Sequence, residues 1–402
     1  MITHKRKLRS EGSLWQHVRA PRVPSRALAR DTHTDVLIVG AGITGALIAE
    51  ALSEAGLEVI IVDRRGPVQG STVASTALVA SELDAPVIEL QRKIGRRAAL
   101  RAWQRSRLAV AGLRSFFRQR GLQAQSRDAL YLAGTSYGAR ALRQEAKLRQ
   151  AAGIETGFLD RAALHGRFGI NHGAALLSFD NLTINPRAVT AQLLIRAQKL
   201  GARVYAPVRI DDLSRTKSSI VATDGNGRRI RCKQLVLATG YEFPKFVPLK
   251  RHRITTTFAF ATAPQPRKLW PDECLVWEAS SPYLYIRTTP DGRVLCGGED
   301  ERTSHPPAHG PLLDRKIARL QRKLGTLFPQ IDTDAEFAWA AAFGETSTGL
   351  PIIGEIPGWK NCWAALGYGG NGITYSRIAT DVIRSALTGE ADPDADLYAF
   401  ER

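Results

Sequence analysis

Val36-Leu37-Ile38-Val39-Gly40-Ala41-Gly42-Ile43-Thr44-Gly45 is the stretch whose reading decides the fold. Its four leading apolar residues form the short continuous run of a strand buried on both faces. From about Thr44, the residues Ala46, Leu47, Ala49 and Leu52 favour a helix, which Gly56 stops. Val59-Ile60-Ile61-Val62 then reads as a second buried strand. Strand, helix and strand within ~30 residues make a βαβ unit, and the crossover makes the strands parallel. The glycines have separate tasks. Gly40 permits the tight turn, Gly42 lets a pyrophosphate approach the backbone, and Gly45 lets helix and strand pack closely. The helix start at Ile43 and Thr44 offers unpaired N–H groups to phosphates. Asp63, followed by Arg64, ends the second strand where a carboxylate accepts hydrogen bonds from an adenosine ribose. All five parts occur in order, which predicts a dinucleotide site but does not separate FAD from NAD.

Outward from this unit, a helix from about Arg187 to Leu200 precedes Arg203-Val204-Tyr205 and Gln234-Leu235-Val236-Leu237, a second βαβ-like piece. Tyr283 to Arg287, the turn Pro290-Asp291-Gly292, and Arg293 to Cys296 read as a β-hairpin. Its antiparallel character predicts a sheet separate from the first. Cys362-Trp363-Ala364-Ala365 and a helix from near Gly372 return to the first pattern, so the cofactor domain is discontinuous. Residues 1–31 form a polar, basic extension expected to lie over the surface.

At 402 residues the chain can bury two cores. No apolar run approaches the ~20 residues needed to cross a bilayer. Lys5, Arg6, Lys7 and Arg9 are not followed by an apolar region, so a secretory signal is not expected and a cytoplasmic location is. Cys232, Cys274, Cys296 and Cys362 lack metal-ligand or redox spacing, so no metal site is expected. The net charge is +18, and residues 90–127 contribute eleven Lys or Arg with no Asp or Glu. Such a segment can bind nucleic acid or an anionic surface. However, Trp103, Ser106, Val110, Leu113 and Phe117 step by three and four, which makes a mostly apolar helix face with the arginines outside. A solvated helix face is the preferred reading, and nucleic acid is not an expected partner.

Further small-residue segments narrow the cofactor. Gly70-Ser71-Thr72-Val73-Ala74-Ser75-Thr76 can run along a flavin ring or pyrophosphate, and Leu237-Ala238-Thr239-Gly240 ends a strand with small residues. Gly349-Leu350-Pro351-Ile352-Ile353-Gly354 precedes Gly367-Tyr368-Gly369-Gly370-Asn371-Gly372-Ile373-Thr374. The glycines around Asn371 at a helix start offer a second terminus suited to negative charge. Together these segments resemble the D-amino-acid-oxidase (DAO) family of flavoproteins, whose members include glycine, sarcosine and γ-glutamylputrescine oxidases. The resemblance covers most of residues 32–390.

It implies an α/β fold with a discontinuous Rossmann-like FAD-binding domain (32–90, 185–242 and 343–402). A second, α+β substrate domain on an antiparallel sheet would take residues 91–184 and 243–342. It also implies that Val208 meets the adenine through its backbone. By the same likeness Gly40, Gly42, Ile43, Thr44, Gly45, Asp63, Arg64, Ser71, Thr72, Ser75, Thr76, Thr239, Gly240, Pro351, Gly369, Gly370, Asn371, Gly372, Ile373 and Thr374 hold FAD.

The departures are informative too. Relatives that bind an α-amino acid often place an arginine just before the Gly349–Gly354 segment, where this chain has Ala341-Ala342-Phe343-Gly344. Glycine oxidases place another where this chain has Gly369-Gly370. Sarcosine-type oxidases attach flavin to a cysteine near Ala342; none is present, which predicts non-covalent FAD. Their lysine over the flavin aligns with Leu295, which predicts weak reaction with oxygen. Arg287 is the first candidate to anchor an acidic group of the substrate, Tyr368 a pocket wall with Tyr283 and Tyr285, and Glu345 a partner for a substrate ammonium. His252, among Lys250, Arg251 and Arg253, reads as a surface residue. The expected activity is hydride transfer from the CH–NH bond of a small amine or amino-acid-like substrate to FAD. The alternatives are a flavin enzyme acting on tRNA wobble bases, an NAD-dependent dehydrogenase, and a flavin-binding protein with reduced catalysis.

Overall fold

A computed structural model describes residues 2–216, 218–247 and 252–401. The decisive stretch forms the centre of an eight-stranded sheet. Thr32–Val39 pairs in parallel with Val59–Val62 on one side and Arg229–Leu237 on the other, with Val39 opposite Val62 and Leu237. Arg203–Tyr205 extends one edge in parallel, and Trp359–Leu366 continues the other in parallel with Arg229–Leu237. Ile352–Ile356 closes that edge antiparallel, while Ile210–Arg215 and Ile220–Asp224 form a meander off Arg229–Leu237. Val36, Leu37, Ile38 and all of Val59–Val62 are buried, as a strand covered on both faces requires. Each such aliphatic side chain contributes roughly 1.5–3 kcal/mol on burial. The helix Ile43–Glu54 packs against both Pro186–Lys199 and Gly372–Leu387.

The second sheet has nine strands. From one edge they run Ala335–Thr346, His252–Thr262, Val294–Glu301, Leu284–Thr288, Leu275–Glu278, Ala124–Leu132, Ala174–Ile184 and Leu78–Val79, with Gly157–Asp160 branching from Ala174–Ile184. The expected hairpin is present, with Arg287 opposite Leu295. The sheet is not wholly antiparallel, because Leu275–Glu278 runs parallel to Ala124–Leu132. The helix Pro311–Leu327 covers the His252–Thr262 and Val294–Glu301 strands.

The helix Arg96–Gln119 buries Trp103, Ser106, Val110, Leu113 and Phe117, as their spacing predicts. Its arginines are engaged more than a solvated face requires. Arg101 binds Asp394 and Asp396, Arg105 binds Asp381 and Asp392, and Arg120 binds Glu50 and Glu54. With Lys93 on Glu89, Arg114 on Asp180 and Arg127 on Glu273, six of the eleven basic residues of 90–127 have carboxylate partners.

The N-terminal segment departs from its expected course over the surface. Ile2, Leu8, Leu14, Trp15, Val23 and Leu28 are buried. Ile2 N–H donates to the Ile210 carbonyl beside the first sheet, and Ser10 N–H donates to the Ala340 carbonyl of the second. The segment therefore bridges the two sheets, because its scattered apolar residues find partners only once both sheets are assembled.

Candidate functional site

A cavity is lined by residues of both sheets, among them the glycine turn, Asp63, the Ser71–Leu78 loop, Val208, the Ala238–Glu242 turn and the Tyr368–Ile373 turn. At the glycine turn the steric tasks are visible. Gly40 has φ +118°, and a Cβ there would stand 2.3 Å from the Ala238 carbonyl oxygen. A Cβ on Gly45 would stand 1.9 Å from the Gly40 carbonyl oxygen, so helix and strand touch through backbone. A Cβ on Gly42 would meet Thr72 Oγ1 at 3.1 Å. Thr72 Oγ1 also accepts the Ile43 N–H at 3.1 Å, which ties the small-residue loop to the helix start.

Asp63 stands at the strand end with both oxygens partly engaged. Oδ2 accepts the Ala41 N–H at 2.9 Å, and Oδ1 accepts the N–H groups of Arg65 at 2.8 Å and Gly66 at 3.1 Å. Sequence reasoning missed Glu242. This buried carboxylate binds the guanidinium groups of Arg64 and Arg65 and accepts the Arg6 N–H at 2.9 Å. Its position five residues beyond a strand end carries no local signal, and only the fold brings it to the arginines.

Ser71–Ala74 is a 3-10 turn, and side chains hold the carbonyls of the five residues that follow Thr72 from outside the cavity. Ser13 Oγ donates to Val73 O at 2.7 Å, Trp339 Nε1 to Ala74 O at 2.9 Å, and Trp15 Nε1 to Ser75 O at 2.6 Å. Arg287 donates to Thr76 O at 3.1 Å and Ala77 O at 2.8 Å. The loop is thereby fixed with its cavity-facing atoms in place.

The expected role of Arg287 is thus corrected. The side chain is 1% exposed, does not line the cavity, and also donates to the carbonyls of Ile184 and Thr288 at 3.0 and 2.9 Å. Burial, with the neighbouring Arg127 charge, pushes its guanidinium down to about 9. It clamps the loop to the second sheet and cannot reach a substrate. Glu345 is corrected as well. It pairs with Arg253 at 2.8 Å on the adjacent strand, outside the cavity lining. Tyr368 does line the cavity, with its hydroxyl donating to the Ala365 carbonyl at 2.7 Å.

Among the other cofactor candidates, Gly40, Gly42, Ile43, Thr44, Asp63, Arg64, Ser71, Thr72, Ser75, Thr76, Val208, Thr239, Gly240, Gly369, Gly370, Asn371, Gly372 and Ile373 all line this cavity. Gly45 and Pro351 lie outside it, and Thr374 turns its hydroxyl to the Ala80 carbonyl at 2.9 Å. Leu295 is fully buried in the core rather than over the cavity. His252 is half-buried with its ring edge-on to Phe243, and burial beside Arg6 pushes it down to about 4, so it is not the surface residue expected. Its sequence neighbours Lys250 and Arg251 lie outside the described residues.

At the far end of the cavity Asp84 faces the open space. Its carboxylate accepts the Gly370 N–H at 2.8 Å and the Asn371 Nδ2–H at 3.3 Å. A Cβ on Gly369 or Gly370 would stand 2.6 or 2.9 Å from Asp84 oxygens, which explains the paired glycines. The surrounding protein and the Glu345 charge push the Asp84 carboxyl up to about 6, against the Gly370 hydrogen bond. Trp277, Tyr283, Tyr285, Tyr241 and Phe343 complete this end. Trp277 stacks on Tyr131 and donates to Glu82 at 3.0 Å.

The cavity fits FAD on observations of the chain itself. Backbone fills the space that side chains would occupy at Gly40 and Gly45, a helix N-terminus opens onto the lining, and Thr239 Oγ1 is buried with no protein partner. The family's sequence model, described as FAD dependent oxidoreductase, matches residues 35–383. The chain belongs to the DAO family of FAD-dependent oxidoreductases. A bifunctional protein of tRNA 5-methylaminomethyl-2-thiouridine biosynthesis (MnmC) from Cupriavidus necator is 26% identical over 94% of this chain, which spans 60% of that protein's length. The gamma-glutamylputrescine oxidoreductase of Escherichia coli is 23% identical, covering 92% of this chain and 87% of its own. Among solved structures, glycine oxidase from Geobacillus kaustophilus superposes with TM-score 0.74 at 20% identity, over 90% of this chain and 96% of its own. L-Proline dehydrogenase from P. horikoshii superposes with TM-score 0.77 at 15% identity, over 92% and 97%. The enzyme is an FAD-dependent oxidoreductase.

Proposed function

We propose that the enzyme oxidises the CH–NH bond of a small amine-type substrate with non-covalently held FAD, and that it works in the cytoplasm. The observation that carries this reading is the cavity lining that Asp84 and the Gly369–Gly372 turn share with Tyr283, Tyr285 and Trp277. Bound FAD supplies the hydride acceptor. The chain supplies orientation and exclusion of water, which is most of what transfer from a neutral amine requires. Tyr241, Tyr283 and Tyr368 are held protonated by burial, so they act as walls and hydrogen-bond donors rather than as bases. Asp84 is the one lining carboxylate at this end without an arginine or lysine partner among the described residues.

The four cysteines are buried and none lines the cavity, which supports a non-covalent cofactor. Among the described residues none that lines the cavity is a lysine, which supports slow reaction with oxygen and delivery of electrons to another acceptor. Among the described residues no helix is long and apolar enough to cross a membrane. The likeness to the Cupriavidus protein and the basic segment favour a tRNA-directed activity, but the carboxylate partners of Arg101, Arg105 and Arg120 argue against it.

The test is to record the visible spectrum of the purified protein and then mix it anaerobically with amines and amino acids. Bleaching by one of them, with a flavin that acid releases, is the expected result. A flavin that none of them bleaches would reject amine oxidation.

A further inference from the structure

The substrate end of the cavity carries negative charge and no described cation. Asp84 has only the neutral partners Gly370 and Asn371. Asp300, behind the lining, takes hydrogen bonds from Thr257 and Tyr283, while its buried Oδ1 has no partner. Glu345, outside the lining and paired with Arg253, adds to the same field and raises both carboxyls. The arginines that line the cavity are Arg64, Arg65 and Arg209, all at the nucleotide end beside Asp63 and Val208. Arg64 and Arg65 bind Glu242, and Arg209 binds Asp211 at 2.5 Å.

Two buried arginines nearby are already engaged. Arg149 bridges Glu82 and Glu145 at 2.5 and 2.8 Å, and Arg287 holds backbone carbonyls. A substrate carboxylate placed at this end would meet the like charge of Asp84, with no cation beside it among the described residues. An ammonium placed there meets the reverse: a carboxylate without a cationic partner among the described residues, in a cavity that Trp277, Tyr283 and Tyr285 also line. Carboxylate and aromatic faces together form the donor set for an alkylammonium.

We propose that the substrate is a polycationic alkylamine of the diamine or polyamine class, lacking an α-carboxylate, with one ammonium held by Asp84 in this cavity. This rests on the amine-oxidation reading above and names its substrate class. Two nitrogens satisfy two opposed needs. One stays protonated against Asp84, while the other is neutral and has the lone pair that oxidation uses. The carbon beside the neutral nitrogen loses hydride to FAD, which is reduced by two electrons. The nitrogen lone pair becomes the second bond of a C=N iminium, and water then releases an aldehyde and ammonium.

The experiment uses the full-length flavoprotein and its Asp84→Asn variant, which keeps an acceptor for the Gly370 N–H. Each is titrated anaerobically with diaminobutane, with proline and glycine, and with a non-oxidisable quaternary diammonium that reports binding through the flavin spectrum. Diaminobutane bleaches the wild type, and Asp84→Asn raises its half-saturating concentration about tenfold or more, the loss expected for one charge-assisted contact. The quaternary diammonium perturbs the wild-type spectrum and not the variant's. Bleaching by the amino acids and not by diaminobutane would overturn the inference and leave amine oxidation standing. Equal diaminobutane sensitivity in the two proteins would overturn the assignment to Asp84. If nothing bleaches but the diammonium still binds through Asp84, the cation site stands and the amine-oxidation reading falls.

Discussion

Trp15 donates its indole N–H to the Ser75 carbonyl at 2.6 Å and so joins the N-terminal segment to the loop that lines the cofactor cavity. Arg187 holds this anchor from below, donating to the carbonyls of Trp15 at 3.0 Å, Gln16 at 2.8 Å and Val18 at 3.1 Å. Ile2, Thr3 and Leu8 of the same segment line the cavity itself. Removal of residues 2–16 is expected to weaken FAD retention by about tenfold or more, equivalent to about 1.4 kcal/mol. Fluorescence of flavin released on dilution measures it. Retention equal to the full chain's would show that the segment contributes nothing to the site.

Arg287→Met removes the donor of four hydrogen bonds to backbone carbonyls, three of them buried. The expected loss of stability is roughly 3–5 kcal/mol, because buried acceptors left unpaired are costly. Thermal unfolding measures the loss. The substrate concentration for half-saturation in the surviving folded enzyme should stay near wild type, since Arg287 touches the loop and not the ligand.

Gly45→Ala puts a methyl group 1.9 Å from the Gly40 carbonyl oxygen. Helix and strand must separate, at an expected cost of about 1–3 kcal/mol. The first visible sign is a purified protein of reduced or absent yellow colour, read as the ratio of flavin to protein absorbance.

The surrounding protein and the Glu345 charge push the Asp84 and Asp300 carboxyls up to about 6, above the ordinary value for aspartate. Each therefore keeps its proton to higher pH folded than unfolded, so stability falls as pH rises from about 4 through 6. Asp300→Asn should flatten this decline, as melting temperatures at pH 5 and pH 8 would reveal. Cation binding runs in the opposite direction, since it needs Asp84 ionised. The apparent KM for a cationic amine should fall as pH rises through about 6, where Asp84 faces Asp300, Glu345, Tyr241 and Tyr283 as further titratable neighbours among the described residues.

Salt-sensitive retention on tRNA is not expected, because the carboxylate partners of the basic helix already neutralise much of its charge. Retention that disappears when Arg92, Arg96 and Arg97 become Gln would restore the tRNA reading.

The sequence by itself determined the βαβ unit, the glycine turn with its helix, the hairpin and the apolar face of the helix Arg96–Gln119. These rest on short-range periodicity and on backbone geometry that only glycine allows, and both are written locally. It also marked most of the residues that line the cofactor cavity, because they cluster in small-residue segments. Tertiary structure alone decided what surrounds those segments. Glu242 meets Arg64 and Arg65, Asp84 meets Gly370, and Trp15, Trp339 and Arg287 converge on one loop across sequence separations of 60 to more than 280 residues. Arg287 and Glu345 illustrate the limit from the other side. A charged residue on a strand looks the same in sequence whether it faces a ligand, a carbonyl cage or a neighbouring arginine. Burial and partners decide its role, and both are properties of the assembled sheets.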